Sequence, residues 1–334
     1  MSGLKPVLAR LAAGEVLNAD EAAAAFAIVM RGEASAAQTG ALLTALRVRG
    51  ETVDEIAGAV TAMRGAMLSV EAPPHAIDCC GTGGDGAHTL NISTAVAFVL
   101  AGAGVAVAKH GNRAITSKSG AADVLASLGV PVELEPAAAA AALAQNNFAF
   151  LFAPKFHPAM RHVGPVRQEL GFRTLFNLLG PLANPAGVKR QLIGAPTIEA
   201  ARKIAGVLAL LGVERAWVAS GHGGLDEISP SGESTVFIVE DGGIAEHAVT
   251  PDDAGLPRHP IEAIRGGDAT VNAAALIALL DGERGAYRDT VVLNAAAALV
   301  VAGKSASLID GARLAAETID SGAASERLKQ ASSR

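Results

Sequence analysis

The chain has 334 residues, of which half are hydrophobic, 18% charged and only 3% aromatic. That composition describes a folded protein with an aliphatic core and excludes a disordered one. Its 27 basic residues fall short of its 33 acidic ones, and the net charge of −6 excludes a broad nucleic-acid or anionic-membrane surface, though not a small basic pocket.

The length allows one large domain or two. No apolar run reaches the roughly 20 residues that a membrane span needs. The opening "MSGLKPVLARLAAGEVLNADEA" breaks its apolar residues with charge at helical spacing and has no signal-peptide core, so a cytoplasmic location is expected. From Leu4 to about Val70 every apolar run fits a helix. "EAAAAFAIVMRG", "SAAQTGALLTALRVRG" and "TVDEIAGAVTAMRGAM" carry Ser, Thr or Asp near their starts and glycine or a turn at their ends. Residues 1–70 therefore read as a small all-helical unit.

After "EAPPHA" the pattern becomes strand, glycine loop, helix, repeated. Strand candidates begin near Ile77, Val105, Phe148, Gln191 and Trp217, with helical runs between them. This alternation predicts an α/β fold with a mostly parallel central sheet flanked by helices. The first loop, "GTGGDG" (residues 81–86), matches the dinucleotide pattern G-x-G-x-x-G. The context does not: the helix begins only near Asn91, and the next strand ends in Lys109 and His110 where an acid should hold a ribose. Four glycines in six residues exceed what a turn needs, and "NIST" adds hydroxyls and helix N-terminal N–H groups, so the loop reads as a phosphate cradle. Cys79 and Cys80 before it read as small buried residues.

The second loop, "KHGNRAITSKSGAAD" (residues 109–123), packs cations and hydroxyls at a strand end, as a polyphosphate requires. "PAAAAAALAQNN" reads as a crossover helix. "GFRTLFNLLGPLANP", with Pro181 and Pro185, interrupts the α/β rhythm and reads as a hinge or helical insertion around 165–188 that returns to the N-terminal unit. A crevice between the two is expected, with the α/β part made of residues 71–164 and 189–334. The third loop, "SGHGGLDEIS", sets Asp226 beside Glu227 after two glycines. Opposite two phosphate loops, such a pair suits Mg²⁺, which takes a few carboxylates, waters and substrate phosphates. His88, His157, His162 and His222 show no zinc spacing. "STVFIVEDGGIAEHAVT" reads as an edge hairpin, and the chain from Ile261 is helical again.

Together, "DCCGTGGDGAHTLNIST", "KHGNRAITSKSGAADVLASLG", "FLFAPKFHPAMRHVGPVRQELGFRTLFNLLGPLANP" and "GHGGLDEIS" resemble the anthranilate phosphoribosyltransferase family of tryptophan biosynthesis, from the N-terminal helices to about Leu314. The resemblance implies a homodimer through the helical unit. It implies transfer of phosphoribosyl from 5-phosphoribosyl 1-diphosphate (PRPP) to anthranilate, releasing pyrophosphate, with Mg²⁺, two ions per subunit. Carried over, Gly81, Gly84, Asp85, Thr89, Asn91, Ile92, Ser93 and Thr94 hold the donor, and Ser93 also touches one ion. Lys109, His110, Gly111, Asn112, Arg113, Ala114, Ile115, Thr116 and Ser117 continue that cradle, with Asn112 also facing anthranilate and His110 orienting. Arg167 meets the anthranilate carboxylate, and Asp226 and Glu227 bind the metal. The chain departs from the family pattern at Ala121, where a serine is usual, so that position can contribute only its backbone. Pyrimidine nucleoside phosphorylases of the same wider fold share a "KHGNR"-like loop and are the alternative; they use free phosphate and need no metal pair.

Overall fold

The computed structural model describes residues 3–114 and 118–333. The chain opens with α1 (Lys5–Ala12), α2 (Ala19–Met30), α3 (Ala36–Arg49) and α4 (Val53–Gly65). Asn18, Ser35 and Thr52 each close a capping box with Glu21, Gln38 and Glu55 at the starts of α2, α3 and α4. Each cap contributes about 1 kcal/mol. Glu55 also ties the unit together: its buried carboxylate accepts the Leu17 N–H at 3.0 Å and pairs with Arg49.

The α/β part follows as β1 (Ile77–Gly81), α5 (Ile92–Gly102), β2 (Val107–Gly111), α6 (Ala121–Ser127), α7 (Pro136–Asn146) and β3 (Phe148–Phe152). Next come α8 (Ala153–Phe156), α9 (Gly164–Leu170), α10 (Phe176–Leu182), β4 (Arg190–Gly194), α11 (Ile198–Leu210) and β5 (Arg215–Ser220). The hairpin β6 (Ser234–Glu240) and β7 (Gly243–Val249) precedes α12 (Ala269–Leu280), α13 (Ala286–Val301), α14 (Leu308–Asp320) and α15 (Ala323–Ser332). No helix among the described residues is long and apolar enough to cross a membrane.

The seven strands lie in the order β3-β2-β1-β4-β5-β6-β7, parallel from β3 through β5 and antiparallel at β6 and β7. The expected edge hairpin is present. Its turn places Asp241 and Gly242 at φ +51° and +76°, the primed turn whose twist matches the strands. Chain order reverses direction at β1 and β4, so a crevice opens outside their carboxyl ends, the usual ligand position in such sheets. The expected strands are all found, but β2 begins at Val107 and includes Lys109 and His110, which pair in register with Phe150 and Leu151. The basic loop thus starts after these two residues, and both are buried.

One face of the sheet packs on α5 and the C-terminal helices. On the other, Ile193, Ala216, Val218 and Phe237 of the sheet share one continuous core with Phe26, Leu43 and Val60 of the helical unit and with Phe176 and Leu179 of α10. The insertion does return to the first helices, with α9 against α3 and α10 against α4. At the end of α10 three consecutive carbonyls each receive a side-chain donor from a different element. Gly180 O accepts from His110 Nδ1 of β2 (2.9 Å), Pro181 O from Gln191 Nε2 of β4 (2.7 Å) and Leu182 O from Arg64 Nε of α4 (2.8 Å). Asn184 follows and donates to Asp78 Oδ2 of β1 and to Ala108 O of β2, both at 2.8 Å.

Candidate active site

Asp226 and Glu227 sit in the loop after β5, against the carboxyl ends of β1 and β4. Two glycines, partners in the parallel ladder, make room for them. A Cβ at Gly81 would stand 2.2 Å from Asp226 Oδ2, and one at Gly194 would fall inside contact distance of the Asp226 carbonyl. Asp226 Oδ2 accepts the Gly83 N–H at 2.7 Å, and Glu227 Oε1 accepts the Ser93 N–H at 3.2 Å. Glu227 therefore occupies the positive N-terminal end of α5, a place suited to an anion. Burial, then the charge of Asp85, pushes Asp226 up to about 7. Burial, then the charge of Asp226, pushes Glu227 up to about 8. Asp85 thus turns its carboxyl toward the acid pair, while its Oδ1 also accepts the Ala87 N–H.

The glycine loop runs over this pair. Gly83, Gly84 and Gly86 all have positive φ, which glycine alone adopts at no steric cost. Thr89 bridges Arg265 of a segment near the C-terminal helices. Asn91 precedes α5 without capping it by its side chain. Its Oδ1 accepts from Asn272 Nδ2 (2.8 Å), and its carbonyl accepts from the hydroxyl of the half-buried Tyr287 (3.1 Å). Ile92 is buried, and the Thr94 hydroxyl is buried with no partner among the described residues. Cys79 and Cys80 are free and buried, and burial pushes the Cys79 thiol up to about 12, so neither is a nucleophile.

Lys109 reaches under the glycine loop. Its ammonium is 1% exposed and donates to Cys79 O (2.6 Å) and Ser93 Oγ (3.2 Å), which sets a positive charge beside Glu227. His110 is held between Gly180 O and His157, with Nε2 of the two rings 3.3 Å apart. Nδ1 of His110 faces a carbonyl and so carries the proton, leaving Nε2 as the acceptor. Burial pulls His110 down to about 3 and His157 to about 4, so both rings are neutral. Beyond Gly111, Asp123 Oδ2 accepts from the Ala114 and Gly120 N–H groups, each at 2.9 Å, and closes the basic loop on itself. Arg113 pairs with Asp123 (3.3 Å) and lies over Phe152, and its N–H donates to Asn112 Oδ1. Ala121 opens α6. The expected contributions of Ile115, Thr116 and Ser117 lie outside the described residues.

Across the crevice, Arg167 of α9 is partly buried over the Phe176 ring. Burial and then the charge of Arg173 hold its pKa below the ordinary guanidinium value. Among the described residues neither arginine has a carboxylate partner. Arg173 donates from Nη2 to Gly83 O at 3.1 Å. Sequence reasoning passed over Arg173, Asn272 and Tyr287, which reach the site from distant segments; for Arg173 alone a signal existed, a cation in the otherwise apolar insertion.

The donor set fits Mg²⁺. Hard carboxylate oxygens crowd here, the charge of Asp85 raising Asp226 and that of Asp226 raising Glu227, a cost that a cation relieves. No three His, Cys, Asp or Glu side chains among the described residues form a cage for the ion. A shared ion, completed by waters and substrate phosphates, is what Mg²⁺ prefers.

Known proteins match this arrangement over its whole length. The helical bundle domain of a glycosyl transferase family matches residues 5–67, and the α/β domain of that family matches residues 73–325. The anthranilate phosphoribosyltransferase of Azorhizobium caulinodans is 56% identical over 99% of this chain and 96% of its own, and that of Afipia carboxidovorans is 56% identical over 99% and 98%. The crystal structure of the enzyme from Thermus thermophilus superposes with a TM-score of 0.93 at 44% identity, covering 97% of this chain and 98% of the other. The Saccharomyces cerevisiae enzyme in complex with PRPP and Mg gives 0.90 at 30% identity, covering 98% and 96%. With two domains, an acid pair on a switch-point sheet and relatives of this identity across nearly every residue, the chain belongs to the anthranilate phosphoribosyltransferase family.

Proposed function

We propose that the protein transfers the phosphoribosyl group of PRPP to anthranilate, giving N-(5-phosphoribosyl)anthranilate and pyrophosphate, with Mg²⁺ as cofactor. The observation that carries this reading is the Asp226–Glu227 pair beneath a glycine loop, across the crevice from Arg167, which has no carboxylate partner among the described residues. One side of the crevice suits a metal-bound diphosphate and the other an anionic acceptor.

In this reading Asp226, Glu227 and the Ser93 hydroxyl hold the metal, with Asp85 beside them. Bound there, Mg²⁺ supplies charge stabilisation to the departing diphosphate. Gly81, Gly84, Thr89 and residues 91–94 at the start of α5 hold PRPP, and the basic loop from Lys109 through Ser117 completes the cradle. As the C1–oxygen bond to diphosphate breaks, the ribose ring gains positive charge, the amine nitrogen of anthranilate bonds to C1, and the proton that this nitrogen then sheds leaves to solvent. That nitrogen already carries a free lone pair, so orientation matters more than a strong base. Arg167 binds the anthranilate carboxylate, and His110, neutral and fixed by Gly180 O, orients the acceptor side. Two ions per subunit, a cytoplasmic location and a homodimer are further parts of the proposal. For the dimer we infer pairing through the helical unit, where Val48 of α3 is 82% exposed.

Purified protein with Mg²⁺, PRPP and anthranilate should consume anthranilate fluorescence and release pyrophosphate, and chelator should stop both. Phosphorolysis of uridine or thymidine at a comparable rate, insensitive to chelator, would overturn the reading.

A further inference from the structure

The peptide joining Gly83 to Gly84 is flanked by two residues with positive φ, +73° and +84°. No neighbour would touch a Cβ at Gly83. A glycine–glycine peptide carries no side chain to hinder its rotation, so something must choose which of its ends faces the ligand. Arg173 does so from outside the loop: its Nη2 donates to Gly83 O at 3.1 Å. The peptide is planar and trans, so its N–H points opposite to its carbonyl, away from Arg173. That Gly84 N–H has no partner among the described residues. The preceding peptide is also fixed, because the Gly83 N–H donates to Asp226 Oδ2. Arg173 leaves no room for a side chain at Gly84, since a Cβ there would overlap its guanidinium.

We propose that Arg173 is a positioning residue for the donor cradle: it holds the Gly83 carbonyl outward so that the Gly84 N–H stays aimed at the diphosphate. Without it the peptide flips part of the time and turns a carbonyl oxygen toward an anion. Arg173 therefore acts on donor affinity, in contrast to Arg167, to which the proposed function gives the acceptor. This inference rests on that reading of the cradle.

The test compares Arg173→Ala and Arg173→Lys with the unaltered protein. In ligand-free protein labelled with ¹⁵N-glycine, the Gly84 amide resonance should move in Arg173→Ala and return toward its original position in Arg173→Lys. The dissociation constant of Mg²⁺-PRPP by calorimetry, and the KM for PRPP, should rise about tenfold in Arg173→Ala, the scale of one charge-assisted hydrogen bond. The KM for anthranilate should stay within about twofold. An unchanged PRPP affinity overturns the inference. So does a weaker affinity with an unmoved Gly84 resonance, which would make Arg173 a direct ligand of the donor, and so does a rise confined to the anthranilate KM. Failure of the unaltered protein to use PRPP and anthranilate would reject the proposed function instead, while the ligand-free spectra would still report the peptide.

Discussion

Replacing Gly81 with alanine tests whether the sheet itself seats the metal acids. The added Cβ would stand 2.2 Å from Asp226 Oδ2, whereas ordinary contact begins at 3.4 Å. The φ of Gly81 lies outside the left-handed region, so alanine adopts this backbone without strain and the carboxylate must yield instead. A retreat of at least about 1 Å breaks the 2.7 Å hydrogen bond from the Gly83 N–H and shifts a charged ligand away from the leaving group. A displacement of that size costs roughly a hundredfold in kcat/KM. Overpacking one methyl group costs about 1–3 kcal/mol of stability, which a domain of this size survives folded. Pyrophosphate release would be followed across a Mg²⁺ titration, with melting by circular dichroism as the check on folding. Gly65→Ala, at the end of α4 with nothing within 4 Å of the new methyl, should leave both unchanged. A folded Gly81→Ala protein with the original Mg²⁺ dependence and turnover would refute the argument.

Three further outcomes follow from the same geometry. Asp226 and Glu227 are raised in the folded state, to about 7 and about 8, so the stability they confer is complete below pH 4 and is lost as pH climbs through those values. Thermal melts in chelator should therefore fall between pH 5 and 8, and Mg²⁺ should restore them most at the alkaline end; a Mg²⁺ effect that does not grow with pH counts against the acid pair. Arg167→Ala should raise the KM for anthranilate about ten- to a hundredfold, the loss of a charged hydrogen bond, while the KM for PRPP moves far less. Tyr287→Phe removes only the hydroxyl that holds the Asn91 carbonyl and should raise the KM for PRPP several-fold at unchanged anthranilate KM; equal changes in both would make the hydroxyl a general packing element.

The parts of this molecule that were legible in its sequence are those built from contiguous runs. Strand, glycine loop and helix repeat within short windows, so the α/β architecture, the edge hairpin and the alanine-rich α7 could be read directly. The Asp226–Glu227 pair was legible because its two members are adjacent. Other features depend on pairings across the chain. Lys109 and His110 read as the start of a basic loop, yet they belong to the ladder with β3, which carries both into the interior. Arg113 also pairs with Asp123 ten residues later, a contact that no periodic pattern announces. Asn272 and Tyr287 reach Asn91 only because α12 and α13 fold back beside α5, and no local pattern announces that.

The core shared by the sheet and the first four helices has a consequence for how the protein comes apart. The matched family segments divide near residue 70, but the apolar contacts do not. Ile193, Ala216, Val218 and Phe237 share their core with α11 and α10, which in turn pack on α4, and the three bonded carbonyls of Gly180, Pro181 and Leu182 stitch α4, β2 and β4 together. A chain truncated to begin at Pro73 would bare the faces of α10 and α11 that meet the first four helices, an apolar surface that recruits other chains instead of water. Denaturation of the intact protein should then proceed as one cooperative step, with the helical bundle and the sheet losing their structure at the same denaturant concentration.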